Sequence, residues 1–531
     1  MIQSSSTISL SSLNGNHGWV IQKFGGTSVG KFPEKIVDDV VSLYNSSNKI
    51  AVVCSARSSN TKSEGTTSRL ILSADRALEG GNYKEIIDLV KEDHVNNATL
   101  RIKDPEIKAQ LIKETLEICD QTATLLHAAT VVEEISYKTL DTIISAGERL
   151  SCLFVAALMN DRGIPAKFID LSFIIAPVKA SAMDAASGSS AKASLDQEFY
   201  DSLAGSLAEA VNKEIPEDSN VVPVLTGYFG VVPGGLLNNI GRGYTDLCAA
   251  LVAVGLDADE LQIWKEVDGI FTADPRKVTN ARLLPTVTPD EAAELTYYGS
   301  EVIHPFTMEQ VIRAKIPIII KNVENPLGKG TIIYPDNIGR KGEATPPHPP
   351  LASALLSASM LNKKKAPTAV TVKHDIVVIN VHSNKKTLSH GFLAKIFAIL
   401  DKYRLVVDLI STSEVHVSMA LYNCEDGFHP DLRRAMKELS SMGTVDLVKN
   451  FAIVSLVGKE MRHLIGIAGA MFECLAKEKI NIEMISQGAN EINISCVVNE
   501  SDSLKALQAI HRDLLDEVEV HSRVAQLKLE N

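Results

Sequence analysis

Short apolar runs alternate with longer amphipathic stretches from Val20 to about Ile333. The runs are rich in β-branched residues, and they read KIAVVCSA, NVVPVLTGYFG, LQIWKEV and IPIIIKNV. Runs that are apolar at successive positions predict strands buried on both faces, as in parallel sheets covered by helices. The pattern therefore predicts an α/β domain with a mostly parallel sheet, in which ligands bind where the strands end in loops.

A linker and an internal repeat follow this domain. Residues 335–350, PDNIGRKGEATPPHPP, concentrate proline and charge, which indicates a linker. Beyond it, GFLAKIFAILDKYRLVVDLIS at 391–411 returns 75 positions later as GIAGAMFECLAKEKINIEMIS at 466–486. Each copy is predicted to contain a strand, a helix that begins at a glycine, and two further strands. Such a pair of small βαββ-type domains serves either scaffolding and dimerisation or ligand sensing.

Composition narrows the class of protein. The chain has 531 residues, 45% hydrophobic content and a formal net charge of −12, which predicts a soluble globular protein of several domains. This charge argues against nucleic acid and anionic membrane surfaces as partners. No apolar run reaches the roughly 18 residues that span a bilayer. The Ser-rich start resembles neither a secretory signal nor a transit peptide, and the seven cysteines form no C-x-x-C pair, so we expect a cytoplasmic protein with reduced thiols.

The segment VIQKFGGTSVGKF, residues 20–32, comes close to a phosphate-binding P-loop. Gly25, four residues, Gly30 and Lys31 fit that pattern, but Phe32 stands where a Ser or Thr should reach magnesium. Phenylalanine has no oxygen to offer, so the P-loop interpretation fails.

A different interpretation begins one step earlier in the same segment. Trp19 to Phe24 is predicted to be a strand, Gly25-Gly26 a tight turn, and Lys23 a cation at the end of the strand. Backbone N–H groups and this ammonium suit a phosphoryl donor. A glycine-rich turn with a solvated lysine is the alternative.

Four further segments carry polar groups where predicted strands or helices end or begin. They are VVCSARSSNT, SAGERLS, GRGYTDLCAA and VDGIFTADPRKV. The second segment places Glu148 and Arg149 near a predicted helix start, where the carboxylate could hold an amine. Arg242 with Asp246, and Asp274 with Arg276, are either site residues or surface ion pairs.

Taken together and in order, these motifs resemble those of a known family. KFGGTSVG, VCSARSSNTKSEGTTSRL, SAGERLS, GRGYTDLCAALVA, VDGIFTADPRKV and YYGSEVIHPFTMEQ follow one another as in aspartate kinases, most closely the fungal, single-function, threonine-sensitive type. The resemblance covers residue 20 to about 525. It implies an amino acid kinase domain, a three-layer α/β/α fold, followed by two ACT domains, which are βαββαβ ferredoxin-like modules that sense amino acids.

The resemblance also implies domain boundaries and their nesting. We expect a disordered start at 1–18, a catalytic domain at 19–334, a linker at 335–366, and ACT domains at 367–446 and 447–531. In this family the second ACT module is expected to be inserted into the first, so that residues after about 520 return to complete the earlier sheet.

The implied reaction transfers a phosphoryl group from MgATP to the side-chain carboxylate of L-aspartate, giving 4-phospho-L-aspartate and ADP. That step opens the pathway to threonine and methionine. An aspartate carboxylate, with a pKa of about 3.9, is already ionised at neutral pH and needs no general base. Catalysis must instead offset the repulsion between two anions by positioning and positive charge.

The resemblance assigns roles to individual residues. Lys23 and Asp246 are expected to be catalytic, and no side-chain metal ligands are assigned. The nucleotide is expected to contact Lys23, Gly25, Gly26, Thr27, Ser28, Lys265, Phe271, Asp274 and Arg276. L-Aspartate is expected to contact Ser55, Thr61, Glu148, Arg242, Thr245 and Asp246. The resemblance implies that Arg242 is the clamp on its α-carboxylate and that Glu148 and Asp246 hold its ammonium. The chain departs from many bacterial members, which have Thr-Asp in place of Lys265-Glu266 and a lysine in place of Glu301.

Regulation is expected at the first ACT module, in the loop SHGFL and the strand VVDLISTSE. Helix-start N–H groups would take the effector's carboxylate and Asp408 its ammonium. The predicted effector residues are Ser389, His390, Gly391, Phe392, Leu393, Asp408 and Ser413. L-Threonine is the expected inhibitor, and paired ACT domains imply a homo-oligomer. Two alternatives remain: another amino acid kinase, acting on glutamate, acetylglutamate or a nucleoside monophosphate, and a catalytically silent amino-acid sensor.

Overall fold

A computed structural model describes most of the chain. The described residues are 18–58, 64–175, 197–216, 219–232, 234–299, 303–334, 366–383, 391–413, 416–422, 430–488 and 492–516. They divide into two compact units, the first with residues 18–268 and 306–332, and the second with 269–305, 333–334 and 366–516. The predicted disordered start, the linker segment 335–350 and the end of the chain after 516 lie outside the described residues.

The first unit is built on a parallel sheet, as the apolar runs predict. Its strands, in spatial order, are Ala166–Ile169, Val222–Thr226, Lys49–Cys54, Trp19–Phe24, Glu260–Lys265, Ile318–Asn322 and Thr331–Ile333. The pairings from Ala166–Ile169 across to Ile318–Asn322 are all parallel. Parallel strands end at one edge of a sheet, so this arrangement gathers the loops that follow Phe24, Cys54, Thr226 and Lys265.

Helices bury the faces of this sheet. They are Gly26–Lys31, the π-helical Lys35–Val41, Ser42–Asn45, Thr66–Leu78, Tyr83–Arg101, Pro105–Val132, Tyr137–Asp161, Gln197–Glu214, Leu236–Ile240, the 3-10 turn Gly241–Gly243, Tyr244–Gly255 and Pro305–Arg313. Tyr137–Asp161 is long and apolar enough to cross a membrane by length and composition. Most of it is buried inside the protein, as in the core helices of soluble proteins.

The second unit is organised around an antiparallel sheet that contains both repeats. Its strands, in spatial order, are Leu409–Thr412, His416–Tyr422, Ala369–Ser383, Gly443–Val457, Asn493–Asn499 and Met484–Ser486. A short strand, Thr286–Val287, precedes them in the chain. The helices are Pro289–Tyr297, Phe392–Lys402, Pro430–Leu439, Lys459–His463, Ile467–Lys477, Glu500–Asp502, Ser503–Ile510 and the π-helical His511–Leu515.

The repeat is confirmed in detail. Gly391 and Gly466, which are 75 positions apart, both precede a helix and both have a positive φ, of 78° and 85°. This left-handed conformation favours glycine, which explains why both copies have one at this position. Each helix is followed by a short strand and then a seven-residue strand, as predicted.

The nesting of the two modules is the reverse of the expected one. Two strands of 15 residues each run through both modules, and residues 369–373 pair with 453–457 at the end of the second module. The outer strand of the second module therefore precedes the whole first module, which is the inserted one. Asp375 and Asn450, each with positive φ, lie where the two long strands pass from one module to the other. The predicted return of residues after 520 falls outside the described residues.

Candidate active site

Lys23 and Asp246 meet where the central strand of the first unit ends. The ammonium of Lys23 lies 2.6 Å from Asp246 Oδ1, and their side chains are 10% and 14% exposed. Phe24 packs into the core and stacks on Trp264, so the alternation of a strand directs Lys23 to the opposite face. Asp246 lies in the first turn of Tyr244–Gly255, where a carboxylate is favoured by the helix dipole. An ion pair is thus held at the carboxyl end of the central strand.

The glycines after Lys23 allow a close approach of two backbones. A Cβ on Gly26 would lie 2.1 Å from the carbonyl oxygen of Ala56, and one on Gly30 would lie 1.8 Å from that of Ser58. Main-chain bonds cross the same contact, from Ser58 N to Gly26 O at 2.9 Å and from Ser55 N to Phe24 O at 3.1 Å. The turn therefore fixes the loop with the predicted substrate residue Ser55. Thr61, also predicted, lies outside the described residues.

Ser28 and Glu266 form a second polar contact at this edge. The buried Ser28 hydroxyl donates to Glu266 Oε1 at 2.6 Å, and Thr27 lies half-buried in the same turn. Lys265 ends the neighbouring strand and is also half-buried. Glu266 stands where the sequence departs from many bacterial aspartate kinases, and its contact with Ser28 gives the departure a structural role.

Glu148 is a buried carboxylate bound by neighbouring protein groups. It is 1% exposed, with Oε1 accepting from Thr245 Oγ1 at 2.7 Å and Oε2 accepting from Tyr228 N at 2.6 Å. Burial raises its pKa from 4.5 to about 7, although these hydrogen bonds and the charge of Lys23 act in the opposite direction. Glu148 and Thr245, both predicted for the substrate, are therefore brought together, while direct binding of an amine by Glu148 stays a prediction.

The expected location of SAGERLS at a helix start is wrong. Glu148 lies in the middle of the 25-residue helix Tyr137–Asp161, which begins at the Ser136 cap. Gly147 lies inside this helix, where its lack of a side chain allows close packing. A Cβ at that position would lie 3.0 Å from Ala56 Cβ. Arg149 pairs with Asp170 at 2.9 Å.

The predicted clamp Arg242 lies in the 3-10 turn Gly241–Gly243, and its side chain is outside the described part of the structure. The short helix before it, Leu236–Ile240, is held at its start by Asp141, whose Oδ2 accepts from Leu236 N at 2.6 Å. Burial raises the pKa of Asp141 above its ordinary value.

The remaining predicted nucleotide residues belong to the second unit. Phe271 is half-buried and bridges to Leu283. Asp274 and Arg276 form a two-bond ion pair, with Arg276 Nε and Nη2 each 3.0 Å from a carboxylate oxygen. This ion pair lowers the pKa of Asp274. The Arg276 side chain is 88% exposed, so its guanidinium is accessible to a ligand.

The predicted effector residues are partly described. Gly391 caps the helix that begins with Phe392, and Leu393 is exposed on it, whereas Ser389 and His390 lie outside the described residues. Asp408 accepts from Lys373 Nζ at 2.6 Å, a partner that the sequence did not reveal. Ser413 accepts at its hydroxyl from His416 N at 3.2 Å.

Two residues at the site were missed by sequence reasoning. Gly227 allows Thr245 to approach, because a Cβ there would lie 2.5 Å from Thr245 Cγ2. Asp141 holds the start of the short helix Leu236–Ile240, which precedes Arg242. Gly227 follows a predicted buried strand in TGYFG, a signal that could have been used. Asp141 carries no such signal, since its partner is distant in sequence.

Two family models match the chain. The amino acid kinase family model matches residues 18–322, and an ACT domain model matches residues 454–514. The amino acid kinase match covers more than half of the chain and includes Lys23, Asp246 and Glu148.

Relatives and solved structures agree with these matches. The chain is 62% identical over 523 residues to the aspartokinase of Candida albicans, covering 96% of this chain and 94% of the relative. It is 60% identical over 503 residues to that of Saccharomyces cerevisiae, with 94% and 93% covered. Escherichia coli aspartokinase III in complex with aspartate and ADP is 26% identical, with a TM-score of 0.68 and 94% and 100% covered. The same enzyme with lysine and aspartate is 27% identical, with a TM-score of 0.70 and 94% and 99% covered.

Proposed function

This chain belongs to the fungal aspartate kinases of the amino acid kinase family, and we propose that Lys23, oriented by Asp246, stabilises the phosphoryl group that passes from ATP to L-aspartate. The observation that carries this proposal is the 2.6 Å contact between the two side chains at the end of the central strand. A mostly buried ammonium beside a glycine turn suits a transferring phosphoryl group.

The reaction places few demands on proton transfer. A side-chain carboxylate oxygen of L-aspartate attacks the γ-phosphorus, the bond from that phosphorus to the bridging oxygen of ADP breaks, and ADP leaves with that electron pair. Negative charge accumulates on the oxygens in transit, and Lys23 lies where its charge can offset it. Asp246 restricts the rotamers of Lys23, so this side chain loses less conformational entropy when the substrates bind.

Magnesium is the proposed companion of ATP. Among the described residues, no group of three or more Asp, Glu, His or Cys side chains could hold a metal ion. Mg²⁺ commonly binds through substrate phosphates, waters and one or two carboxylates, so a site of this kind fits the carboxylates of Asp246 and Glu266. When bound, Mg²⁺ neutralises phosphate charge.

For the substrates, we keep the predicted division of roles. Arg242 binds the α-carboxylate of L-aspartate, a task that suits a guanidinium. Glu148 and Asp246 hold its ammonium, and Thr245, Ser55 and Thr61 support the same pocket. On the nucleotide side, the exposed guanidinium of Arg276 supports a role at the phosphates, reached by leaving its ion pair with Asp274.

Two lysines 8 positions apart in the same segment test the assignment. Lys23→Ala should lower kcat by about 100-fold or more with little change in either KM, because the interaction strengthens in the transition state. Lys31→Ala is the matched control, since Lys31 is exposed and belongs to the rejected P-loop pattern. ADP release with MgATP and L-aspartate is the measurement. Equal losses in both variants would remove Lys23 from its role.

The substrate and the effector are tested in the same assay. L-Aspartate should support turnover and L-glutamate should not, and millimolar L-threonine should suppress it. Support for threonine comes from the resemblance to threonine-sensitive fungal enzymes, and support for an amino-acid effector comes from the ACT match. Turnover without suppression by threonine would reject threonine and leave the kinase assignment intact.

Three broader properties are part of the same proposal. Threonine and methionine are the end products of the pathway that this enzyme supplies, and homo-oligomers form through the ACT sheets. The cytoplasm is the proposed location, supported by six described cysteines that are all buried and form no disulfide with one another. Size-exclusion chromatography with light scattering tests the oligomer.

A further inference from the structure

The predicted nucleotide residues of the second unit are carried by a short hairpin, defined here as residues 270–284. Leu284 N donates to Ile270 O at 2.8 Å, and Thr272 N donates to Arg282 O at 2.9 Å. Phe271 bridges to Leu283 between these bonds. Asp274 and Arg276 lie in the loop of the hairpin. The position of their side chains therefore depends on the contacts that hold the hairpin against the rest of the second unit.

Thr272 is the residue through which the hairpin is fixed. It is 2% exposed, and its hydroxyl oxygen accepts from Arg282 N at 2.9 Å. Its carbonyl oxygen accepts from Val370 N at 2.9 Å, at the start of the long strand Ala369–Ser383. The same hydroxyl lies 2.8 Å from Nε2 of His511. Thr272 thus joins the two strands of the hairpin and the last described helix through its hydroxyl, and the long strand Ala369–Ser383 through its main-chain carbonyl.

His511 is suited to accept the hydroxyl proton of Thr272. It is 1% exposed, and burial lowers its pKa below the ordinary value, with Asp516 opposing and Arg282 reinforcing that shift. A neutral imidazole has one acceptor nitrogen, and we assign it to Nε2 because the buried Thr272 hydroxyl then donates its one proton to His511 while its oxygen accepts from Arg282 N. Replacing His511 with an apolar side chain would leave a buried hydroxyl proton without its acceptor.

The surrounding contacts bring the helix of His511 onto the hairpin. Gln508 Nε2 donates to Lys277 O at 2.9 Å, and Arg282 Nη2 donates to Leu515 O at 3.0 Å. Ala273 and Val278, on either side of the hairpin loop, share one apolar core with helix residues that include Ile510. The second ACT module therefore supports both ends of the loop that contains Asp274 and Arg276.

We propose that His511 is a positioning residue for ATP: by holding Thr272, it fixes the hairpin that presents Asp274 and Arg276 to the nucleotide. This inference rests on the proposed nucleotide role of the hairpin. His511 belongs to the second ACT module, and no sequence motif indicated that it takes part in the reaction. A purely structural histidine would lower stability without affecting one substrate more than the other.

Steady-state kinetics separate the two roles. His511→Ala should raise the KM for ATP about three- to tenfold, the range expected for one buried hydrogen bond, and should change kcat and the KM for L-aspartate less than about twofold. His511→Gln should restore most of the ATP affinity, because a glutamine amide oxygen can reach the position of Nε2 as an acceptor. Thr272→Val should reproduce the defect, whereas Thr272→Ser keeps the hydroxyl and should not.

His94 is a matched control for burial. It is 4% exposed in the first unit and lies 3.1 Å from a threonine hydroxyl, that of Thr66. His94→Ala should lower the melting temperature as His511→Ala does, without raising the KM for ATP. If His511→Ala does not fold, the Thr272→Val and Thr272→Ser pair carries the same comparison, with circular dichroism as the test of folding.

Arg276→Ala distinguishes failure of this inference from failure of the nucleotide assignment. If Arg276→Ala raises the KM for ATP and folded His511→Ala or Thr272→Val does not, the positioning role is overturned alone. If none of them changes the KM for ATP, the hairpin does not face the nucleotide, and both proposals fail. An equal rise in the KM values for ATP and L-aspartate in His511→Ala would show a general structural role and would also overturn the inference.

Discussion

Gly26→Ala is the sharpest test of how the turn after Lys23 is built. The added Cβ would lie 2.1 Å from the carbonyl oxygen of Ala56, whereas ordinary contacts begin at 3.4 Å. The obstacle is backbone rather than a flexible side chain, so the two segments must separate by about 1 Å. Lys23 lies three residues before Gly26 on this path, and Ser58 N donates to Gly26 O across the contact.

The magnitude follows from that displacement. Overpacking of this kind costs about 1–3 kcal/mol of stability. A catalytic group misplaced by about 1 Å commonly costs on the order of 100-fold in rate. We therefore expect a folded but less stable Gly26→Ala enzyme, with kcat reduced by about 100-fold. Both effects share one cause, because the separation that relieves the clash also moves the strand end where Lys23 meets Asp246.

Two glycines provide controls for this variant. A Cβ on Gly25 meets nothing within 4 Å, and its φ of −73° suits any residue, so Gly25→Ala should keep the melting temperature of the wild type. Gly205, inside Gln197–Glu214 with the same free space, should gain about 0.5–1 kcal/mol as alanine and keep full activity. ADP release and thermal unfolding are the assays. A Gly26→Ala enzyme with kcat within about threefold of the wild type would refute the argument.

Three further outcomes follow from single contacts. The pKa of Glu148 is raised from 4.5 to about 7, so the folded state binds this proton more tightly than the unfolded state does. The resulting stabilisation is present below about pH 4.5 and is lost as the pH rises through about 7. Glu148→Gln should make the melting temperature less dependent on pH in this range. Thr245→Val removes a donor to Glu148 and should cost about 1–3 kcal/mol at pH 8, measured by urea unfolding, with Thr245→Ser retaining most of it. Asp408→Asn should weaken inhibition by threonine about tenfold, and Lys373→Met should strengthen it because it frees the Asp408 carboxylate. Lys402→Met, which removes an exposed ion pair in the same module as Asp408, should leave inhibition unchanged. Unchanged inhibition in Asp408→Asn would remove Asp408 from the effector site.

Much of the fold was predictable because its signals are local. Apolar runs identified the parallel strands of the first unit, since a strand buried on both faces needs apolar side chains at successive positions. The 75-residue repeat located two similar modules with paired glycines, and the resemblance to the family identified them as ACT modules. The motifs identified the family, because their order is specific even where each motif alone is weak.

The sequence failed where an answer depends on distant partners. The nesting of the ACT modules was predicted the wrong way round, because the pairing of residues 369–373 with 453–457 is invisible in either segment alone. Glu148 is predicted near a helix start, whereas the helix Tyr137–Asp161 runs through this segment and Gly147 packs against Ala56 within it.

The sequence by itself therefore determined the strands, the repeat, the family and the residue types that its chemistry needs. Only the tertiary structure decided which charges meet: Lys23 with Asp246, Glu148 with Thr245, and Asp408 with Lys373. It also decided that the hairpin with Asp274 and Arg276 is supported by His511. The physical reason is that periodicity and propensity act over a few neighbouring residues, whereas a buried polar group takes its partner from whichever segment the packed chain brings within hydrogen-bond distance.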